Sequence, residues 1–77
     1  MKKILVRVDE LLKEADCTPM DLIRLAGIGQ GTAYNLTRRK GAGITFDVLQ
    51  SVCEFFSREL GREIGPGDVL VVREVEP

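Results

Sequence analysis

"GIGQGTAYNLTRRK", residues 27–40, decides how the whole chain is to be read. Gly27, Gly29 and Gly31 stand at alternate positions, and Arg38, Arg39 and Lys40 close the stretch as three consecutive cations. Between them, polar side chains fill most positions that a core helix would give to apolar ones. Three readings compete: a glycine loop that cradles a nucleotide phosphate, a plain solvated loop, and a helix meant to face something polyanionic.

Context removes the first. A dinucleotide G-x-G turn follows a strand inside a βαβ unit, whereas the segment before Gly27 has helical periodicity, and G-x-x-x-x-G-K-[ST] is absent. The glycines have simpler work. Thr18-Pro19 is a strong helix start, Leu22, Ile23, Leu25 and Ala26 supply an apolar stripe over 19–26, and Gly27 is placed to stop that helix in the left-handed conformation. Ile28 then plugs into the core, and Gly29-Gln30 open a third helix over 30–39. Ala33 and Leu36 face inward on it, while Gln30, Thr32, Tyr34, Asn35, Thr37 and Arg38 form the outer face. Gly31 costs roughly 1 kcal/mol of helix propensity relative to alanine, a loss that makes sense if bare backbone must approach another surface.

Two helices joined by a tight glycine turn, the second polar outside, form a helix-turn-helix, whose second helix fits the major groove of DNA. At this point the sequence resembles the Cro/repressor (XRE-like) helix-turn-helix family, in particular its small phage-repressor-like members. The resemblance lies in "TPMDLIRLAGIGQGTAYNL" (18–36), "GITFDVLQSVCEFF" (43–56) and "GPGDVL" (65–70). It covers most of the chain and implies a sequence-specific DNA-binding transcriptional regulator, a repressor, with Gln30 opening the recognition helix. The chain departs from the family pattern at Ile23, where a small residue is usual, and at Pro19, where a glutamine commonly supports the recognition glutamine. A longer segment between Cys53 and Gly65 implies a longer fourth helix.

The rest of the chain fits one domain over 1–77, since 77 residues bury only a modest core. The β-branched run over 3–8 reads as a strand, with Ile4, Val6 and Val8 on one side. Asp9 has N-cap chemistry for a first helix over 9–16. Thr45 caps a fourth helix over 46–61, whose apolar positions are Phe46, Leu49, Val52, Cys53, Phe56 and Leu60; Phe46, Phe55 and Phe56 are expected in the core, Phe55 being the one of the three open to exposure for a partner. Gly65-Pro66-Gly67 ends this helical region or leaves one short turn, and 69–75 is a second strand. If the two end strands meet, Arg7 suits a cross-strand pair with Glu74. The expected fold is mainly α: four or five helices around a helix-turn-helix, with a small two-stranded β element made by the chain ends.

Composition excludes more than it selects. Apolar residues make up 44% and charged ones 30% of the sequence, a globular balance without a run long enough to span a membrane. Met1-Lys2-Lys3 precedes only Ile4-Leu5-Val6 before Arg7, too short for a signal peptide, so the cytoplasm is expected. With no histidine and two distant cysteines, Cys17 and Cys53, no zinc site and no catalytic set can be named. Two buried or half-buried free thiols are expected, and no enzyme, cofactor, metal or small-molecule ligand is called for.

The net charge is −1, but its distribution matters more than the sum. No acid occurs from Leu22 to Phe46, where Arg24, Arg38, Arg39 and Lys40 supply four cations, and Lys2, Lys3 and Arg7 make a second basic cluster. The candidate DNA-binding residues are Gly29, Gln30, Gly31, Thr32, Tyr34, Asn35, Arg38, Arg39 and Lys40. Gln30 has the amide to pair bidentately with adenine, Thr32 and Asn35 suit base edges or phosphate, Tyr34 a sugar or thymine methyl, and the three cations phosphate. The apolar strand Val69, Leu70, Val71, Val72 and Val75 calls for cover, either by pairing with Ile4 to Val8 or by its copy in a second chain, and the favoured reading is a homodimer through this strand and the end of the fourth helix. The competing reading is a protein-interaction module, an antitoxin-like or phage-encoded regulator that docks onto a protein.

Overall fold

The computed structural model describes residues 2–38 and 44–74. Its elements run β1 (Lys2–Val6), α1 (Val8–Glu14), α2 (Pro19–Leu25), α3 (Gln30–Thr37), α4 (Phe46–Leu60), α5 (Pro66–Val69) and β2 (Leu70–Glu74). This is the expected mainly helical fold, closed by an antiparallel pair of end strands in which Lys2 faces Glu74 and Val6 faces Leu70. Val75 lies outside the described residues.

Where β1 gives way to α1, the expected boundary shifts. Val8 is wholly buried and already helical, so the helix starts before Asp9, which occupies the first turn rather than the cap. An acid there still favours the helix macrodipole. Arg7 stands at the cap position, and its backbone N–H donates to the Val69 carbonyl oxygen at 2.7 Å, tying the end of β1 to the start of β2. The expected Arg7–Glu74 pair is therefore corrected. Arg7 is one residue past the ladder, and its Nε donates to Glu10 Oε2 at 2.7 Å instead. That bond, followed by the nearby Asp68 and Glu14 charges, raises the guanidinium pKa against the opposing effect of burial.

The helix boundaries follow the local chemistry. Pro19 starts α2, with the Thr18 N–H donating to Asp21 Oδ2 at 2.8 Å. Ala26 follows the helix and Gly27 takes a φ of +70°, the left-handed stop that only glycine adopts without strain. The Ile28 N–H reaches back to the Leu22 carbonyl oxygen, so the turn is held as the chain enters α3. Thr45 Oγ1 accepts from the Val48 N–H and caps α4, which runs for fifteen residues and ends at Gly61, φ +67°.

Beyond Gly61, Ser57 pins the returning chain. Its Oγ accepts from the Ile64 N–H at 2.9 Å and donates to the Ile64 carbonyl oxygen at 3.5 Å. Ile64 is buried, although its neighbours Arg62, Glu63 and Gly65 give no apolar pattern that would show it. Arg62 also reaches Glu14 with both nitrogens, at 3.2 and 3.1 Å. Both side chains are half exposed, so this pair adds at most about 1 kcal/mol.

One core gathers Val6, Val8, Leu11 and Leu12 with Leu22, Ile28, Ala33 and Leu36, and with Val52, Phe55, Phe56, Ile64 and Val69. One expectation for α4 is overturned. Phe46, expected in the core, is 90% exposed, whereas Phe55 and Phe56 are wholly buried, as expected. The buried stripe is centred on Val52, Phe55 and Phe56, with Val48, Leu49, Cys53 and Leu60 half-buried around it. The helix is thus rotated toward Val48, which carries Phe46 round to solvent. Phe55 and Phe56 pack edge to face, ring centroids 5.1 Å apart. Leu25 is likewise 57% exposed, at the last position of α2 rather than in its buried stripe.

This rotation has a measurable consequence. Phe55→Ala should destabilise the protein by about 3–5 kcal/mol in urea unfolding. Phe46→Ala should change it by no more than about 0.5 kcal/mol; equal losses would contradict the arrangement of α4.

Candidate nucleic-acid interface

The geometry of α3 follows from which two of its side chains are apolar. Ala33 and Leu36 are buried, three residues apart on one stripe, and α3 packs through them on α2 and, less extensively, α1. Helical spacing then turns Gln30, Tyr34 and Arg38 outward, at i, i+4 and i+8, with Gly31 and Asn35 beside them. All five are exposed, Tyr34 least at 36%. Thr32 is half-buried and sits on the flank of this face rather than at its centre. Thr37 Oγ1 donates to the Tyr34 carbonyl oxygen at 2.9 Å, which occupies its hydroxyl within the helix. Arg38 is the residue that ends α3; Arg39 and Lys40, with the loop glycines Gly41 and Gly43, lie outside the described residues.

The start of α3 is chemically open. Gly29 occupies the cap position and offers no side chain, so no side-chain oxygen meets the first N–H groups, those of Gln30, Gly31 and Thr32. A Cβ built on Gly29 or Gly31 would meet nothing within 4 Å inside the molecule. The start of α2 differs, because its own Asp21 accepts the Thr18 N–H and the Thr18 hydroxyl. Arg24 and Arg38 are exposed and have no acidic partner among the described residues. What results is a polar, acid-free face with a free helix N-terminus at one end and a cation at the other.

The family model described as the Cro/C1-type HTH DNA-binding domain matches residues 7–72. The chain belongs to this family. It is a DNA-binding regulator of the Cro/C1 type, and the segment matched contains the entire helix-turn-helix of α2 and α3. No curated protein and no solved structure matches the chain.

Elsewhere this Cro/C1-type domain offers little site chemistry among its described residues. No group of cysteine, aspartate and glutamate side chains is placed to hold a metal ion, and no helix is long and apolar enough to cross a membrane. Cys17 and Cys53 are half-buried free thiols, as expected. Burial first, then Glu59 and other nearby acids, raises the Cys17 pKa; burial, then Asp68 and Glu54, raises that of Cys53. Both thiols are accordingly weak nucleophiles at neutral pH.

Gly31 supplies a test of the helix itself. With open space where its Cβ would stand, Gly31→Ala should raise unfolding stability by roughly 0.5–1 kcal/mol through helix propensity alone. A loss in urea unfolding would mean that the backbone at this position is not helical as described.

Proposed function

We propose that the protein is a sequence-specific repressor that reads the major groove with α3. The observation that carries this reading is the single outward face of Gln30, Gly31, Tyr34, Asn35 and Arg38, set opposite the buried Ala33 and Leu36. Gln30 stands at the first helical position, where the side chain of a helix entering the groove end-on comes nearest the base edges. Its amide donates and accepts, which matches the N6 and N7 of adenine. Asn35 and Tyr34 follow along the same groove wall, and Thr32 reaches base edge or phosphate from the flank. Gly29 and Gly31 let the backbone lie close to the DNA, where the free N–H groups of the first turn meet a phosphate. Arg38, with Arg39 and Lys40 after it, takes phosphates at the far end and positions the helix without adding sequence information.

Of the two helix N-termini in the helix-turn-helix, only that of α3 suits a phosphate. The side chain of Asp21 already accepts at the start of α2 and would repel a phosphate there. Repression follows from occupancy, since a domain seated in the groove excludes other proteins from that stretch of DNA. The proposed setting is the cytoplasm.

A single module buries only about 600–1,000 Å² on DNA, which is thin for selective binding. We therefore read the active species as a homodimer on two half-sites, paired through β2 and the end of α4. Support comes from Val72, 63% exposed on a strand whose outer edge pairs with no other strand among the described residues. Leu70 in β2 and Leu60 at the end of α4 are half-buried.

Two outcomes are expected. Gln30→Ala should weaken binding to the preferred duplex, found by selection from a random pool, by about 1–3 kcal/mol and leave random duplex almost unaffected. An equal loss on both would rule out base reading by Gln30. In sedimentation at micromolar concentration the native chain should run as a dimer and Val72→Glu as a folded monomer. A native chain that is monomeric and occupies one asymmetric site would defeat the dimer.

A further inference from the structure

The far end of the sheet holds a pairing that folding does not ask for. Lys3 lies directly opposite Arg73 in the antiparallel ladder, one step inside the Lys2–Glu74 pair. Side chains directly opposite each other project to the same face with Cβ atoms about 4.5–5.5 Å apart, and like charges at that distance are destabilising. Lys2 escapes this because its opposite number is an acid. Both Lys3 and Arg73 are exposed, and neither has an acidic partner among the described residues. Any neutral polar residue would fill either position without the repulsion. A local conflict that nothing among the described residues offsets marks a site that serves something outside.

The charge balance at this end agrees. Among the described residues, Lys2, Lys3 and Arg73 stand against Glu74 here, three cations to one acid on a chain whose net charge is −1. The end of the sheet also stands clear of the helices, since Ile4 and Val72, the next opposed pair inward, remain 65% and 63% exposed. Two cations held side by side on a hydrogen-bonded ladder are pre-organised for an anion that repeats at short intervals, as a phosphodiester backbone does.

We infer that the tip of the β1–β2 sheet is a second DNA contact, in which Lys3 and Arg73 together hold backbone phosphates beside the stretch covered by α3. This rests on the proposed seating of α3 in the groove. The connection is short and stiff: β1 passes through Arg7 directly into α1, and α1 packs against α3. The molecule measures 38 Å along its longest axis, and one turn of duplex measures about 34 Å, so one domain can touch the backbone at two places along a turn. Such a second hold adds affinity and fixes the angle at which α3 enters, without reading bases.

The test is a salt titration of duplex binding by fluorescence anisotropy, on the preferred and on a random duplex. It compares the native chain, Lys3→Ala/Arg73→Ala, Gln30→Ala and Arg38→Ala. The double variant should bind both duplexes roughly tenfold more weakly near 0.1 M salt, and its log–log salt slope should fall by about 1.8, or 0.9 for each phosphate no longer held. Its thermal midpoint should be unchanged or higher, because the repulsion is gone. Arg73→Lys should retain most of the slope. Native affinity and slope in the double variant, with Gln30→Ala still losing its preference, would overturn the sheet contact alone and leave the tip to an acidic protein surface. A lowered midpoint with binding reduced in proportion to unfolding would overturn it in favour of a structural role. A native chain without salt-dependent duplex binding would overturn both this contact and the reading on which it rests.

Discussion

Burial of Ala33 and Leu36 in the cluster that holds Leu22 and Ile28 is the constraint from which the rest of the molecule follows. A helix as short as α3 has only those two side chains with which to anchor itself, and isolated helices of this length are unstable in water. Its rotation about its own axis is therefore set by the pair. Once they are inside, helical geometry leaves Gln30, Gly31, Tyr34, Asn35 and Arg38 nowhere to go but outward. Gly27 matters for the same reason: its left-handed backbone turns the chain in the space of three residues, so that Ile28 reaches the core and α3 begins immediately after it.

The remaining elements can be understood as support for that pair. α4 supplies the two largest buried side chains, Phe55 and Phe56, and α1 packs against α3. The end strands then close the shell, with Arg7 bonded to Val69 where the two ends of the chain meet. No polar or charged residue is buried anywhere among the described residues. Charge is thus confined to the surface, where one region can be kept free of acid without disturbing the interior.

What could be read from the sequence was what depends on local chemistry. Thr18-Pro19, Gly27, Gly29 and Thr45 are punctuation with a mechanism of their own, and the structure has helix boundaries at each. The inward pair and outward face of α3 followed from the same spacing. Errors arose where a residue's fate depends on how far a neighbouring element extends. Phe46 keeps helical spacing with Leu49 and Val52, yet α4 turns its Val48 side inward and carries Phe46 to solvent. Ile64 is buried where Ser57 holds its backbone, a link across seven residues that no periodicity encodes. The opposition of Lys3 to Arg73 needed a register, and the sequence had Arg7, not Lys2, opposite Glu74.

The antiparallel closure also has a topological side. Lys2 and Glu74 face each other across one ladder, so the chain enters and leaves the folded body about 4.8 Å apart. A polypeptide can therefore carry this domain as a bead inserted into a loop of another protein, because the host's backbone need hardly be parted to admit it. By the same token a short linker could join the two ends and new ones be opened at a surface turn, leaving α2, α3 and the residues between them in an unbroken stretch of chain.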